Sequence, residues 1–196
     1  FDDSSSNSYA GISDKTTLNF TIADVNAPTL SSSTPSDDAT GVAADANIVL
    51  TFSEIVDVES GNITIKKTSD GSIVESIDVT SGLVTGTGTN QITINPATTF
   101  SSSTGYYLNI AATAFDDTAS NSYAGISNAT SLNFTIADVN APTMTVTAIE
   151  VMDGDTSGHS SLSLTFTSSE ATTDFAEDDI TVSGGALSDF AQTSPT

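Results

Sequence analysis

A repeated segment constrains this chain more than any other feature of its sequence. Residues 1–29 return as residues 115–143, with 24 of 29 positions identical at an offset of 114 residues. Self-similarity at a fixed period is the signature of a tandem array of structural units. We therefore expect three parts: the last strands of a preceding domain in 1–27, a complete domain in 28–141, and the first part of a third domain in 142–196.

Apolar and polar residues alternate with a period of two along most of the chain, as in Leu132, Phe134 and Ile136. This alternation predicts half-buried antiparallel strands. Clusters of Gly, Ser, Asp and Asn separate the predicted strands, which are 29–33, 47–54, 62–67, 73–79, 91–95, 105–112 and 131–137. About seven short strands in ~100 residues describe an immunoglobulin-like sandwich. The predicted fold is therefore all-β, an elongated array of tandem immunoglobulin-like β-sandwiches. Tyr106 begins the sixth strand in core phase, where a tyrosine-corner residue or an ordinary core tyrosine fits.

Charge and composition exclude several classes of function. Three basic residues stand against 25 acidic ones, which gives a net charge of −22. Nucleic acid and anionic membranes are excluded as partners, because no cationic surface exists to bind phosphates. Such acidity indicates either a soluble, self-repelling surface or sites for hard cations such as Ca²⁺. The chain has no cysteine and a single histidine, His159, and nothing suggests a catalytic constellation, so we do not expect an enzyme.

Two segments of the complete unit carry a family resemblance. Residues 34–65 (TPSDDATGVAADANIVLTFSEIVDVESGNITI) and 106–126 (YYLNIAATAFDDTASNSYAGI) resemble the bacterial Ig-like repeats of very large surface proteins. Residues 161–190 resemble a different bacterial Ig-like subfamily, so the array is mixed. The resemblance implies a secreted protein located outside the cell or at its surface.

The linkers between units carry a second resemblance. Asp24-Val25-Asn26-Ala27-Pro28, repeated at 138–142, resembles the cadherin interdomain linker, in which such a stretch supplies Ca²⁺ ligands between successive sandwiches. The second Asp-Asn pair of the full cadherin motif is absent. The resemblance therefore implies fewer ions or weaker binding.

Sandwich topology brings further acidic residues toward the linkers. In an immunoglobulin-like domain the B–C and F–G loops lie at the N-terminal end, beside the preceding linker. We expect these loops and the first linker to share a Ca²⁺ site, whose candidate ligands are Asp24, Asn26, Glu54, Asp57, Asp116 and Asp117. At the second linker the candidates are Asp138, Asn140 and Glu170. The alternative for every one of them is an ordinary solvated turn residue.

Three functions fit these observations. The leading one is a structural segment of a long extracellular bacterial surface protein, an adhesin stalk or a fibre, stiffened by Ca²⁺ at its linkers. A self-assembling filament or surface-layer subunit is the second, with other copies of the chain as partners beside the neighbouring repeats. A glycan- or cell-binding module is the third, with Tyr9 and Tyr123 as its candidate contact residues.

Overall fold

A computed structural model describes residues 1–192, and the chain divides into two compact units between Asp138 and Val139. The strands of the first unit are β1 Leu30–Thr34, β2 Ala39–Val42, β3 Ile48–Val58, β4 Asn62–Lys67, β5 Ile73–Asp78, β6 Val84–Thr85, β7 Thr89–Ile94, β8 Gly105–Ile110, β9 Phe115–Asp117 and β10 Asn133–Ile136. The second unit contains β11 Met144–Ala148, β12 Leu164–Ser168 and a 3₁₀ turn at Glu177–Asp179. No helix within residues 1–192 has the length and apolar character that crossing a membrane requires.

The first unit is built from two sheets. One has the order β1-β3-β7-β6, with β9 also paired to β3, and the other has the order β2-β10-β8-β4-β5. The chain passes from the first sheet to the second between β1 and β2, and β2 then pairs parallel to β10. The predicted all-β, immunoglobulin-like fold is confirmed, and all seven predicted strands are present.

The core lies between the inward faces of these sheets. Ile48, Leu50 and Phe52 of β3 alternate inward and are buried, as the period of two predicts. Tyr106 is also buried, and its phenolic oxygen accepts a hydrogen bond of 2.9 Å from the backbone N–H of Ser101. A buried tyrosine bonded to the backbone a few residues upstream is the geometry of a tyrosine corner.

The longest strand differs from its prediction. β3 continues to Val58 instead of ending at Glu54, and its pairing with β7 is irregular between Thr51 and Val56. Such an irregularity shifts which side chains face inward, so the apolar alternation breaks although the strand continues. Asp57 therefore lies within β3, paired with Asp116 of β9, and not in a B–C loop.

The two copies of the repeated segment share a local turn but differ in their surroundings. The N–H of Asp3 donates to the carbonyl of Asn7 at 3.0 Å, and Asp117 and Asn121 repeat this bond at 3.0 Å. Residues 1–27 are exposed throughout. The counterpart of residues 19–22 in the second copy is strand β10, whose apolar side chains are buried. The turn is therefore a property of the local sequence, and burial is a property of the sandwich around it.

Candidate metal centre

Three carboxylates meet at one edge of the first sheet. Asp24, Glu54 and Asp117 each offer one oxygen, and these oxygens lie within 4.8 Å of one another. Leu30 of β1 pairs with Phe52 on the same strand, β3, that carries Glu54. Asp117 of β9 pairs with β3 further along, at Val56. Glu54 therefore lies between the start of β1 and the end of β9, where the linker enters the domain.

Asp117 is held in place by its own loop. Only 4% of this residue is exposed. Its Oδ1 accepts from the N–H groups of Ala119 and Asn121, and its Oδ2 accepts from the Asn121 amide, all at 2.8 Å. These bonds, that of the Asn121 side chain foremost, lower the pKa of Asp117. Asp117 is therefore a fixed negative charge at neutral pH.

Two contacts tie the linker to the domain beside this charge. The Asn121 amide donates to the backbone carbonyl of Asp24 at 3.2 Å. Thr29 and Ser53 exchange two hydrogen bonds, from the Thr29 N–H to Ser53 Oγ at 3.0 Å and from the Ser53 N–H to the Thr29 carbonyl at 2.9 Å. The exposed Asp24 carboxylate is thereby brought next to Glu54. Ser53 was not predicted as part of the site, although the sequence Thr-Phe-Ser-Glu places it directly before Glu54.

Among residues 1–192, no side chain or backbone group compensates the negative charge of Glu54. Its carboxylate is half-buried and receives no hydrogen bond from residues 1–192. Burial raises the pKa of Glu54, and the negative charges of Asp117 and Asp24 raise it further. Oxygens bound to one Ca²⁺ at ~2.3–2.6 Å lie no more than about 5 Å apart. The three carboxylates therefore fit a single hard cation, with room for carbonyl or water ligands.

The other candidates at the first linker lie outside this triad. Asn26 belongs to the linker, and its backbone N–H donates to Asp24 Oδ1 at 3.0 Å. Asp57 accepts a hydrogen bond from the Thr87 hydroxyl at 3.2 Å. Asp116 pairs with Asp57 across β9 and β3. Asp57 and Asp116 remain predicted ligands that the structure does not bring into the cluster of carboxylate oxygens, whereas the Asn26 amide lies against it and donates to Asp24 Oδ1 at 3.3 Å.

The candidates at the second linker are divided between the two units. Asp138 ends the first unit and accepts a hydrogen bond of 3.0 Å from the Ser102 hydroxyl, whereas Asn140 and Glu170 belong to the second. Within the second unit, Thr143 and Ser169 exchange the same two hydrogen bonds as Thr29 and Ser53, each at 2.9 Å. Glu170 therefore directly follows the serine that pairs with the linker threonine, Ser169, as Glu54 directly follows Ser53. A metal site at this linker remains a prediction.

The two tyrosines proposed as glycan contacts differ in exposure. Tyr123 is 6% exposed and packs edge-on against Phe52, with ring centroids 5.2 Å apart. Its ring face is therefore not available to stack on a sugar. Tyr9, in the exposed copy of the segment, is the one candidate of the two that reaches solvent.

Comparisons with known proteins identify the family. A model described as a bacterial Ig-like domain matches residues 24–136. The chain belongs to the bacterial Ig-like domain family. A second, different model with the same description matches residues 138–196, so the bacterial Ig-like array is mixed as predicted. Bacterial Ig-like domains are typically non-enzymatic structural modules of surface or extracellular proteins.

Structural and curated comparisons add one neighbour. The chain is similar to "The crystal structure of CopC from Methylosinus trichosporium OB3b", with 17% identity, a TM-score of 0.39, and coverage of 58% of this chain and 97% of that chain. A comparison with curated proteins found no match.

Proposed function

We propose that this chain is a structural segment of a long extracellular bacterial surface protein, an adhesin stalk or fibre, and that Ca²⁺ stiffens its interdomain linker. The observation that carries the proposal is the triad of Asp24, Glu54 and Asp117. One member belongs to the linker and two belong to the sandwich. A cation held by all three ties the linker to the domain.

Electrostatics give the cation a structural effect. Without it, three carboxylates repel one another, and this repulsion opposes the hydrogen bond from Asn121 that holds the exposed Asp24 beside Glu54. With it, Asp24 is drawn toward β3 and β9, and the direction in which the linker leaves the domain becomes fixed. Repeated at successive linkers, this turns a flexible string of domains into a rod.

The first test uses the chain itself with Ca²⁺, with Mg²⁺ and with chelator. We expect Ca²⁺ to raise the melting temperature and to slow amide hydrogen exchange at residues 24–26. Mg²⁺ has a weaker effect because it requires near-ideal octahedral geometry. Asp24→Asn removes one linker ligand and abolishes the response. Asp45→Asn, at an exposed position outside the triad, is the charge-matched control and keeps it.

The second test asks about stiffness directly. Small-angle scattering of two complete repeats in tandem measures the maximum dimension with Ca²⁺ and with chelator. We expect a longer, more uniform particle with Ca²⁺. An unchanged dimension together with an unchanged melting temperature would reject the calcium-stiffened rod.

A further inference from the structure

Residues 1–192 contain one sandwich framework and two copies of the segment that closes it. In the first unit, residues 115–136 complete the sandwich by pairing β9 with β3 and β10 with both β2 and β8. Six apolar side chains of this segment enter the core and are at most 6% exposed: Phe115, Tyr123, Ile126, Leu132, Phe134 and Ile136. We call residues 115–136 the inner closing segment.

Residues 1–22, which we call the outer closing segment, carry the same six residues at the same spacing. Here they are at least 52% exposed: Phe1, Tyr9, Ile12, Leu18, Phe20 and Ile22. Five positions differ between the segments, and the five residues of the inner segment at those positions are all exposed: Thr118, Ala119, Asn128, Ala129 and Ser131. No difference between the two segments therefore falls on a side chain that the core contacts.

Local structure and charge match as well. The Asp3 carboxylate accepts from the N–H and amide of Asn7 at 2.9 Å each, as the Asp117 carboxylate does from Asn121 at 2.8 Å. Ser6 has a positive φ of 62° and its counterpart Ser120 one of 66°. Both segments carry a side-chain charge of −2, from three Asp and one Lys in the outer segment and two Asp in the inner one. The turn of the outer segment is therefore preformed, and its residues 18–22, which form no strand here, would become a strand in the slot as β10 does.

We propose that the outer closing segment binds the sandwich of a second copy of this chain whenever the inner closing segment of that copy is out of its slot. The surface it recognises is the groove between β2 and β8 together with the edge of β3 that pairs with β9. This binding does not require Ca²⁺.

Chain length makes a second copy the partner. In the slot, the segment ends beside Val42, whereas β1 begins at Leu30, beside Phe52. Residues 23–29 would have to return along the path that residues 30–42 take. Seven extended residues reach about 25 Å, roughly half the contour of those thirteen. Closure within one chain therefore strains the connection, and closure of another copy does not.

Buried area is sufficient for such a complex. Three of the six side chains are aromatic and bury about 150–250 Å² each, so one closing segment buries on the order of 1,000 Å² with its aliphatic residues. Two reciprocal closures then fall within the ~1,200–2,000 Å² of stable interfaces. In the intact monomer the inner segment, tethered directly to β8, prevails by its effective concentration. Exchange becomes visible when the inner segment is disabled.

The experiment uses full-length variants. An acceptor carries Leu132→Asp and Phe134→Asp, which disable its inner segment, and Leu18→Asp and Phe20→Asp, which disable its outer one. Wild type is the donor, and the chain with Leu18→Asp and Phe20→Asp alone is the matched donor control. Circular dichroism follows folding of the acceptor, and light scattering after gel filtration measures the mass of the complex.

We expect wild type to restore the folded signal of the acceptor in a complex of one to one, at a concentration at least tenfold lower than the donor control requires. Equal rescue by both donors, or none by saturating wild type, would overturn the proposal. A chain with only Leu132→Asp and Phe134→Asp keeps its outer segment. We expect its folding to depend on concentration and to yield oligomers. Folding as a monomer would show closure within one chain and would overturn the assignment to a second copy.

Discussion

The duplicated segment offers a matched pair of substitutions, Phe134→Ala and Phe20→Ala, in the same local sequence Leu-Asn-Phe-Thr-Ile. Phe134 is 1% exposed, and its ring centroid lies 5.7 Å from that of Phe100 and 6.2 Å from that of Tyr106. Removing a buried phenylalanine costs about 3–5 kcal/mol. Phe20 is 79% exposed, and substitutions at such sites usually change the free energy of unfolding by less than about 0.5 kcal/mol.

Urea unfolding at low protein concentration, followed by circular dichroism, measures both costs. In a domain of this size each kcal/mol lowers the melting temperature by about 4 °C, so Phe134→Ala should lower it by about 12 °C or more and Phe20→Ala by at most a few degrees. The near-ultraviolet signal of Tyr106, which packs beside Phe134, should change in the first variant alone. A cost above about 1 kcal/mol for Phe20→Ala would show that the outer segment is packed and would refute the reasoning.

Three further predictions concern the triad and the two copies. Because the pKa of Glu54 is raised in the folded state, the free energy of unfolding in chelator should fall as pH rises through the window above the ordinary glutamate pKa, and Glu54→Gln should flatten this fall; denaturation at several pH values checks it. Glu54→Gln should also exceed wild type in melting temperature with chelator at pH 7 but gain nothing from Ca²⁺. Gly125→Ala should lower the melting temperature more than Gly11→Ala does: both glycines have a positive φ, 75° and 81°, but only at Gly125 would a Cβ lie 2.5 Å from a β8 carbonyl oxygen, whereas at Gly11 it meets nothing within 4 Å.

Regular alternation made most of the fold predictable. β3, β8 and β10 place large apolar residues at every second position, and such runs have few other stable arrangements. Three strands of the first unit were missed. β2 is short and contains Gly41, β6 has two residues, and β9 reads Phe-Asp-Asp with one apolar residue. Their strand character comes from neighbouring strands that supply hydrogen bonds, which local sequence does not reveal.

The candidate site was predictable in its membership but not in its geometry. Topology alone placed Asp24, Glu54 and Asp117 at one end of the domain, and the structure brings their oxygens together. Topology did not separate them from Asp57 and Asp116, because the continuation of β3 past Glu54 was not apparent. Once β3 and β9 pair, Asp116 lies opposite Asp57, and Asp117 lies opposite Val56, next to the linker.

Comparing the two copies of the repeated segment shows which acidic residues of the triad are explained by local turn capping and which are not. Capping of the turn is enough to explain an aspartate at position 117. Asp3 accepts the same hydrogen bonds in the copy that has no sandwich around it. Asp24 likewise accepts a local bond from Asn26. Glu54 has no such local role: it caps no turn and its charge is opposed by both neighbours. A half-buried, donor-free carboxylate between two others costs stability unless a cation offsets it. The calcium hypothesis therefore depends on Glu54 more than on the linker motif that first suggested it, and Glu54→Gln is its most direct test.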